Sequence, residues 1–296
     1  MTKLRLPTWK DPRFYMVCTL VLFVLLAQYY LGFSQTRAQI WAGLLTCVLL
    51  DFTFTYATSR KIIVPLSGFI SGLSLALLLD SGPRILPFVL VGALSISSKY
   101  VVKYRGKHFF NPTNFGLAIV LLLGMASITP GYQWGGGTTA LWIALSMGGM
   151  ILFRVRRLAL IFSFIGFFML SALLRYLLFH ESFILAFGLM TGAPFQLFTF
   201  FMLPDPRTTP AQTGSQIGFA LAVVATDLIL RLIRVPNTLF LSLFYVDLIV
   251  MAAALFGMSF SVSKWPATRP VSIIGAAANP SDQPVIQLPT NIHQDV

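Results

Sequence analysis

The sequence predicts an all-α polytopic membrane protein. We expect about ten transmembrane helices in two inverted five-helix repeats, with a broken or re-entrant segment in each half. Three observations carry this. The chain of 296 residues is 56% apolar and only 10% charged, with a mean hydropathy of +0.80, whereas soluble domains carry roughly 25% charge. Its apolar residues fall in runs near the length of a bilayer span, about 17–25 residues. Finally, one pattern recurs. Ser67-Gly68 opens an apolar run ending at Asp80 and Pro83-Arg84, and Thr191-Gly192 opens another ending at Asp205 and Pro206-Arg207. The two hydroxyl-glycine pairs lie 124 positions apart, as do Pro112 and Pro236.

Ten segments follow in order. The first, 14–33, comes after a basic stretch and is too long for the apolar core of a cleavable signal peptide, so it is expected to remain as a helix. The second, 38–57, carries Asp51. The third, 62–79, contains Pro65, Gly68 and Gly72 and is expected to be broken. The fourth is 85–101. The basic loop KYRGKHFF then leads to Asn111-Pro112 and the fifth segment, 114–129. A glycine-rich loop precedes the sixth, 138–153. The seventh, 158–179, holds Arg175. The eighth, 182–203, is interrupted at Gly192 and Pro194. The ninth, 215–233, has Asp227 and Arg231, and the tenth, 237–260, has Asp247. The expected units are a cytoplasmic segment 1–13, a first repeat 14–129, a second repeat 130–260, and a polar, disordered cytoplasmic tail 261–296.

Charge tests this parse. With the N-terminus in the cytoplasm and sides alternating, inner loops and termini collect sixteen of the 21 lysines and arginines. The outer side receives Arg37, Arg84, Arg175, Arg231 and Arg234. Such a bias follows the positive-inside rule and places both termini in the cytoplasm of a bacterial inner membrane. The net charge of +12 is split among short loops, which argues against nucleic-acid binding. Five helices per half is an odd number, so the second copy enters from the opposite side. The halves are then related by a pseudo-twofold axis in the membrane plane.

Several constellations stand out. Unwound turns at Ser67-Gly68 (with Ser71 and Gly72) and at Thr191-Gly192 would present backbone N–H groups to a ligand with an anionic part. The alternative is close helix packing through small residues. An acid inside a span costs about 2.5–3.5 kcal/mol on insertion scales. Asp227 has Arg231 at i+4, which suggests a structural pair. Asp51 and Asp247 have no local basic neighbour, and they are candidates for a proton or cation pathway, or for helix–helix hydrogen bonds. Asn111 and Asn114 flank Pro112-Thr113 at an expected helix start, as a cap or as ligands to a polar edge. Asp205 and Arg207 of the inner loop PDPRTTP are candidates for binding a cofactor or substrate; the alternative is a stiff turn pinned by their salt bridge. The scattered histidines and the two cysteines, Cys18 and Cys47, have no metal-ligand spacing. No nucleophile with its base, and no phosphate-binding loop, is recognisable.

At FNPTNFG and FFMLPDPRTTP the chain resembles the RnfD/NqrB-like membrane subunits of ion-translocating redox complexes. Asn111-Pro112 matches that family's FNP-type turn. Gly192 through Asp205-Pro206 and Pro210 matches its second-half small-residue stretch and loop, and SGFISGLSLALLL matches the first-half counterpart. The likeness covers roughly residues 40–260. It implies an inverted repeat of five-helix units, a role in electron or ion transport, and association with other subunits of a redox complex. The family attaches FMN to the threonine of a DGxSxAT-like motif. Here the equivalent loop is PGYQWGGGTT, where Thr138 or Thr139 stands in place but the Asp, Ser and Ala do not. Covalent FMN is therefore not expected, and FMN, riboflavin or quinone would be held non-covalently. Shorter, UnbU-like proteins of this kind resemble the chain more, and for them the likeness implies membrane redox or transport support. A small-metabolite channel or transporter on the same scaffold is the alternative, and a structural anchor for other subunits is a third.

Overall fold

A computed structural model describes residues 11–104, 107–134, 157–206 and 208–256. The sixth expected segment, Arg207, Thr138, Thr139 and the C-terminal tail lie outside these residues.

The described chain is mostly helical. Helix α1 (Pro12–Tyr29) starts where the Asp11 side chain accepts from the Arg13 amide, with proline in the first turn. Proline suits that position because its missing N–H would have no helical partner there. Helix α2 (Arg37–Ser59) opens on a reciprocal cap between Thr36 and Gln39 and closes on Arg60 in the left-handed region. Helix α3 (Leu66–Leu78) follows Pro65, and α4 (Leu86–Val101) has Pro87 in its first turn. Asn111 caps α5 (Pro112–Leu122) by accepting from the Asn114 amide. In the second half, α6 (Leu158–Leu178) is followed by the short α7 (Phe183–Phe187) and a 3-10 turn, Gly188–Thr191. Then come α8 (Ala193–Leu197), a π turn Phe198–Met202, α9 (Thr213–Leu232) and α10 (Thr238–Leu255).

Four of these helices, α2, α6, α9 and α10, are long and apolar enough to cross a membrane. The pair Phe183–Thr191 and Ala193–Met202, bent by 53°, makes a fifth candidate span. Helices α1, α3, α4 and α5 are apolar but shorter. Large apolar side chains such as Phe162, Leu170, Ile229 and Ile249 face outward, as they do where lipid rather than water is the surrounding medium. The chain is a membrane-embedded helical protein.

Two expectations about the elements are corrected. The third segment is not broken at Gly68 or Gly72, because α3 runs through both. The interruption lies before it, at Pro65, whose ring excludes a helical continuation from the preceding residues. The fifth helix ends at Leu122 instead of reaching 129. Gly124 turns the chain at φ +64°, and the next residues form a strand, β4 (Ser127–Ile128). It pairs antiparallel with β1 (Leu79–Asp80), the continuation of α3. A second two-residue pair joins β2 (Lys103–Tyr104) to β3 (Lys107–His108).

Helix α3 is buried on every side and packs against α1, α2, α4 and α5. The stretch Phe195–Leu203 is buried in the same way. Phe195 stacks on Phe164, Phe198 packs on Phe164 at a tilt of 46°, and Phe198 meets Phe240 edge-on. At about 1.5 Å per residue, a 13-residue helix such as α3 covers about 20 Å, short of the roughly 30 Å apolar layer. Both α3 and the Phe195–Leu203 stretch are therefore short apolar segments encased by their neighbours. The halves join where α5 packs on α10 and where Phe23 of α1 meets Phe201.

Candidate functional site

The first turn of α5 touches both central helices. Thr113 Oγ1 donates to Ser71 Oγ of α3 at 3.1 Å. Asn111 Nδ2 donates at 3.1 Å to the carbonyl of Met202, the last residue of the π turn. Asn114 Nδ2 reaches across to the Phe240 carbonyl of α10, also at 3.1 Å. Ser71, Asn111, Thr113 and Asn114 are all buried. The two central helices are thus joined through the FNPTN turn. A proline-led turn suits the task, since its fixed φ and side-chain cap hold both asparagines in place.

Asn114 Oδ1, buried here, has no hydrogen-bond partner among the described residues. A buried acceptor left unsatisfied costs about 1–3 kcal/mol, so a native structure holding one calls for an explanation. Phe110 and Phe115, which flank the turn in sequence, form a ring cluster with Phe244 of α10, with centroid separations of 5.1 to 5.9 Å. An acceptor such as Asn114 Oδ1 can receive an N–H or O–H from a ligand.

The other expected residues fall elsewhere. Gly68 and Gly72 lie on the face of α3 that meets α2. A Cβ on Gly68 would come within 2.8 Å of the Cys47 carbonyl oxygen, and one on Gly72 within 2.7 Å of the Leu44 Cα. Both are close-packing glycines. Ser67 is half-buried beside them. In the second half the break does occur at Gly192, whose backbone is extended between the 3-10 turn and α8. Thr191 is exposed, and its hydroxyl donates to the Gly188 carbonyl at 2.7 Å.

Asp51 has a strong basic partner that sequence proximity did not show. Its carboxylate accepts from Lys99 Nζ at 2.6 Å, from Tyr100 Oη at 2.8 Å and from the Gly68 amide at 3.0 Å. It thereby caps the N-terminus of α3 from a neighbouring helix, where negative charge is favoured. Asp247 is buried in the middle of α10. The Asp205 backbone carbonyl accepts from the Thr208 and Thr209 amides. Its carboxylate lies near Arg157, whose pKa is lowered by burial, an effect that Asp205 opposes.

Three further anchors escaped the sequence reading. Gln35 Nε2 bridges the Leu79 carbonyl and Thr129 Oγ1 at the end of α3, and Gln39 Nε2 holds the Gly82 and Arg84 carbonyls. Arg175, 3% exposed, pairs with Glu181 at 2.6 Å and holds the Ala186 carbonyl at 3.0 Å. Gln35 and Arg175 are polar groups in or beside apolar runs, and that alone was a usable signal. The Asp227–Arg231 pair forms as its spacing suggested, at 2.6 Å, and Thr238 donates to the same carboxylate. Among the described residues no group of three or more His, Cys, Asp or Glu can hold a metal ion.

No family model matches the chain, and comparison with curated proteins finds no match.

Proposed function

We propose that this chain is an integral membrane subunit of an RnfD/NqrB-like electron-transport or ion-translocation system, holding a flavin or quinone non-covalently where the two halves meet. The observation that carries the proposal is the α5 turn. It ties Ser71 of one central helix to the Met202 carbonyl of the other and leaves Asn114 Oδ1 as a buried acceptor, unpartnered among the described residues, on a turn flanked by the paired rings of Phe110 and Phe115. Asn114 would accept from the ring edge of the cofactor, and the phenylalanines would pack on its face. The redox chemistry would be the cofactor's own; the chain supplies orientation and exclusion of water. Other subunits would deliver and remove electrons.

The proposal includes ten spans as inverted halves, with both termini cytoplasmic in a bacterial inner membrane. Cross-links between loops support that arrangement. Ser34 with Gln133, Gln35 with Thr129, and Ile128 with Asn237 join only loops expected outside. Thr55 with Tyr100, and Asn111 with Met202, join only residues expected toward the inside.

A small-metabolite channel on the same scaffold is a second reading, favoured by the bend at Gly192 and by Asp247 buried within a span. Absorbance and intact mass of the purified, detergent-solubilised protein separate the two. The redox reading expects a flavin or quinone that denaturation releases and no mass added to the polypeptide. A colourless protein that binds neither, yet conducts solute in proteoliposomes, would replace it with the channel.

A further inference from the structure

We propose that the end of the molecule formed by α2, α4 and the β2–β3 hairpin is a binding site for an anionic phospholipid. Three observations place it there. First, Phe52 and Tyr56, at i and i+4, share one face of α2, and Arg60 closes the same helix. The Phe52 and Tyr56 rings stack at 6.4 Å and 11° and are 38% and 41% exposed. An outward aromatic pair therefore leads directly to a cation at the helix end. Second, Arg60 and Lys61 are exposed. The end of α4 is tied to α2 by the Thr55–Tyr100 hydrogen bond of 2.8 Å, and β2, which follows it, adds Lys103, whose ammonium lies 5.4 Å from the Tyr100 ring. Third, the carboxylates at this end of α1 and α2 are ion-paired already. Asp51 is held by Lys99 and Asp11 by Arg13.

The surplus of positive charge thus lies at headgroup level and is continuous with an aromatic, lipid-facing stripe. That combination fits a phosphate-bearing headgroup with its acyl chain along Phe52 and Tyr56. A zwitterionic headgroup would bring its own cation to the patch and gain less. This inference needs only that the chain is membrane-embedded; it does not depend on the redox reading or on a bound cofactor.

Native mass spectrometry of the full chain in detergent, titrated with phosphatidylglycerol or phosphatidylcholine, tests it. We expect at least a tenfold preference for phosphatidylglycerol. Each cation near a charged headgroup contributes about fivefold in affinity, so Lys61→Gln with Lys103→Gln should abolish the preference. Lys61→Arg with Lys103→Arg should keep it and control for folding. Arg84→Gln, at an exposed loop on the far side of α3, should change nothing. Excess inorganic phosphate should leave the lipid bound; displacement by phosphate alone would mean an ion site and overturn the lipid assignment. Equal affinity for the two lipids, or a preference that survives Lys61→Gln with Lys103→Gln, would overturn it as well.

Discussion

The amide of Gly68 lies 3.0 Å from the Asp51 carboxylate, inside a helix pair that also buries the Lys99–Asp51 ion pair. One carboxylate therefore closes the N-terminus of α3 and neutralises a cation from α4. Asp51→Asn keeps an acceptor for the amide but leaves Lys99 without its counter-charge. We expect a loss of about 2–3 kcal/mol, seen as a lower Tm in detergent. Adding Lys99→Gln should restore part of it. If the loss in the double variant equals the sum of the two single losses, the two residues are not coupled.

The glycines of α3 differ sharply from a glycine that faces outward. Gly68→Ala and Gly72→Ala would place a methyl group 2.8 Å and 2.7 Å from backbone atoms of α2. Each should cost about 1–3 kcal/mol and reduce the yield of folded protein. Gly166→Ala, with nothing within 4 Å of the new carbon, should be neutral or stabilising in the same size-exclusion thermal assay.

Asn111 does two jobs that substitution can separate. Asn111→Ser retains an oxygen to cap α5 but cannot reach the Met202 carbonyl. Asn111→Ala loses both. The second should be less stable than the first by about 1 kcal/mol, the value of the cap. Both should lower cofactor retention if the turn orients the ligand, as read from absorbance per mole of protein. Retention equal to that of the unmodified chain in Asn111→Ala would remove the turn from the site.

Arg175 ties the segment before the Gly192 bend to α6, through Glu181 and the Ala186 carbonyl. Arg175→Gln should release that segment. Hydrogen exchange should rise in peptides covering 183–191, while α3 stays protected. A uniform rise across the chain would show a global rather than a local role.

Length and hydropathy made most helices legible, since the boundaries of α2, α4, α6 and α9 fall within about two residues of those expected, well inside the usual boundary scatter. Glycine proved ambiguous. Gly68 and Gly192 look alike in sequence, yet one packs against the Cys47 carbonyl and the other marks a bend. Proline separated breaks from packing better. Pro65 precedes the start of α3, and Pro194 stands in the first turn of α8. The α5 turn was visible as a motif, but its partners Met202 and Phe240 are 91 and 126 positions away. Lys99 is 48 positions from Asp51. Contacts at such separations leave no periodic trace in one sequence, so the Asp51 site was read without its counter-charge.

The central claim is that the two buried half-length helices start from opposite faces of the membrane and meet through the Asn111–Asn114 turn. Its most direct test is labelling with a membrane-impermeant maleimide in a Cys18→Ser background, Cys47 being buried. Single cysteines would be placed at two exposed positions, Pro83→Cys after α3 and Ala211→Cys before α9. The account predicts that Pro83→Cys reacts in intact cells, and that Ala211→Cys reacts only after permeabilisation. Labelling of both from the same side would contradict it.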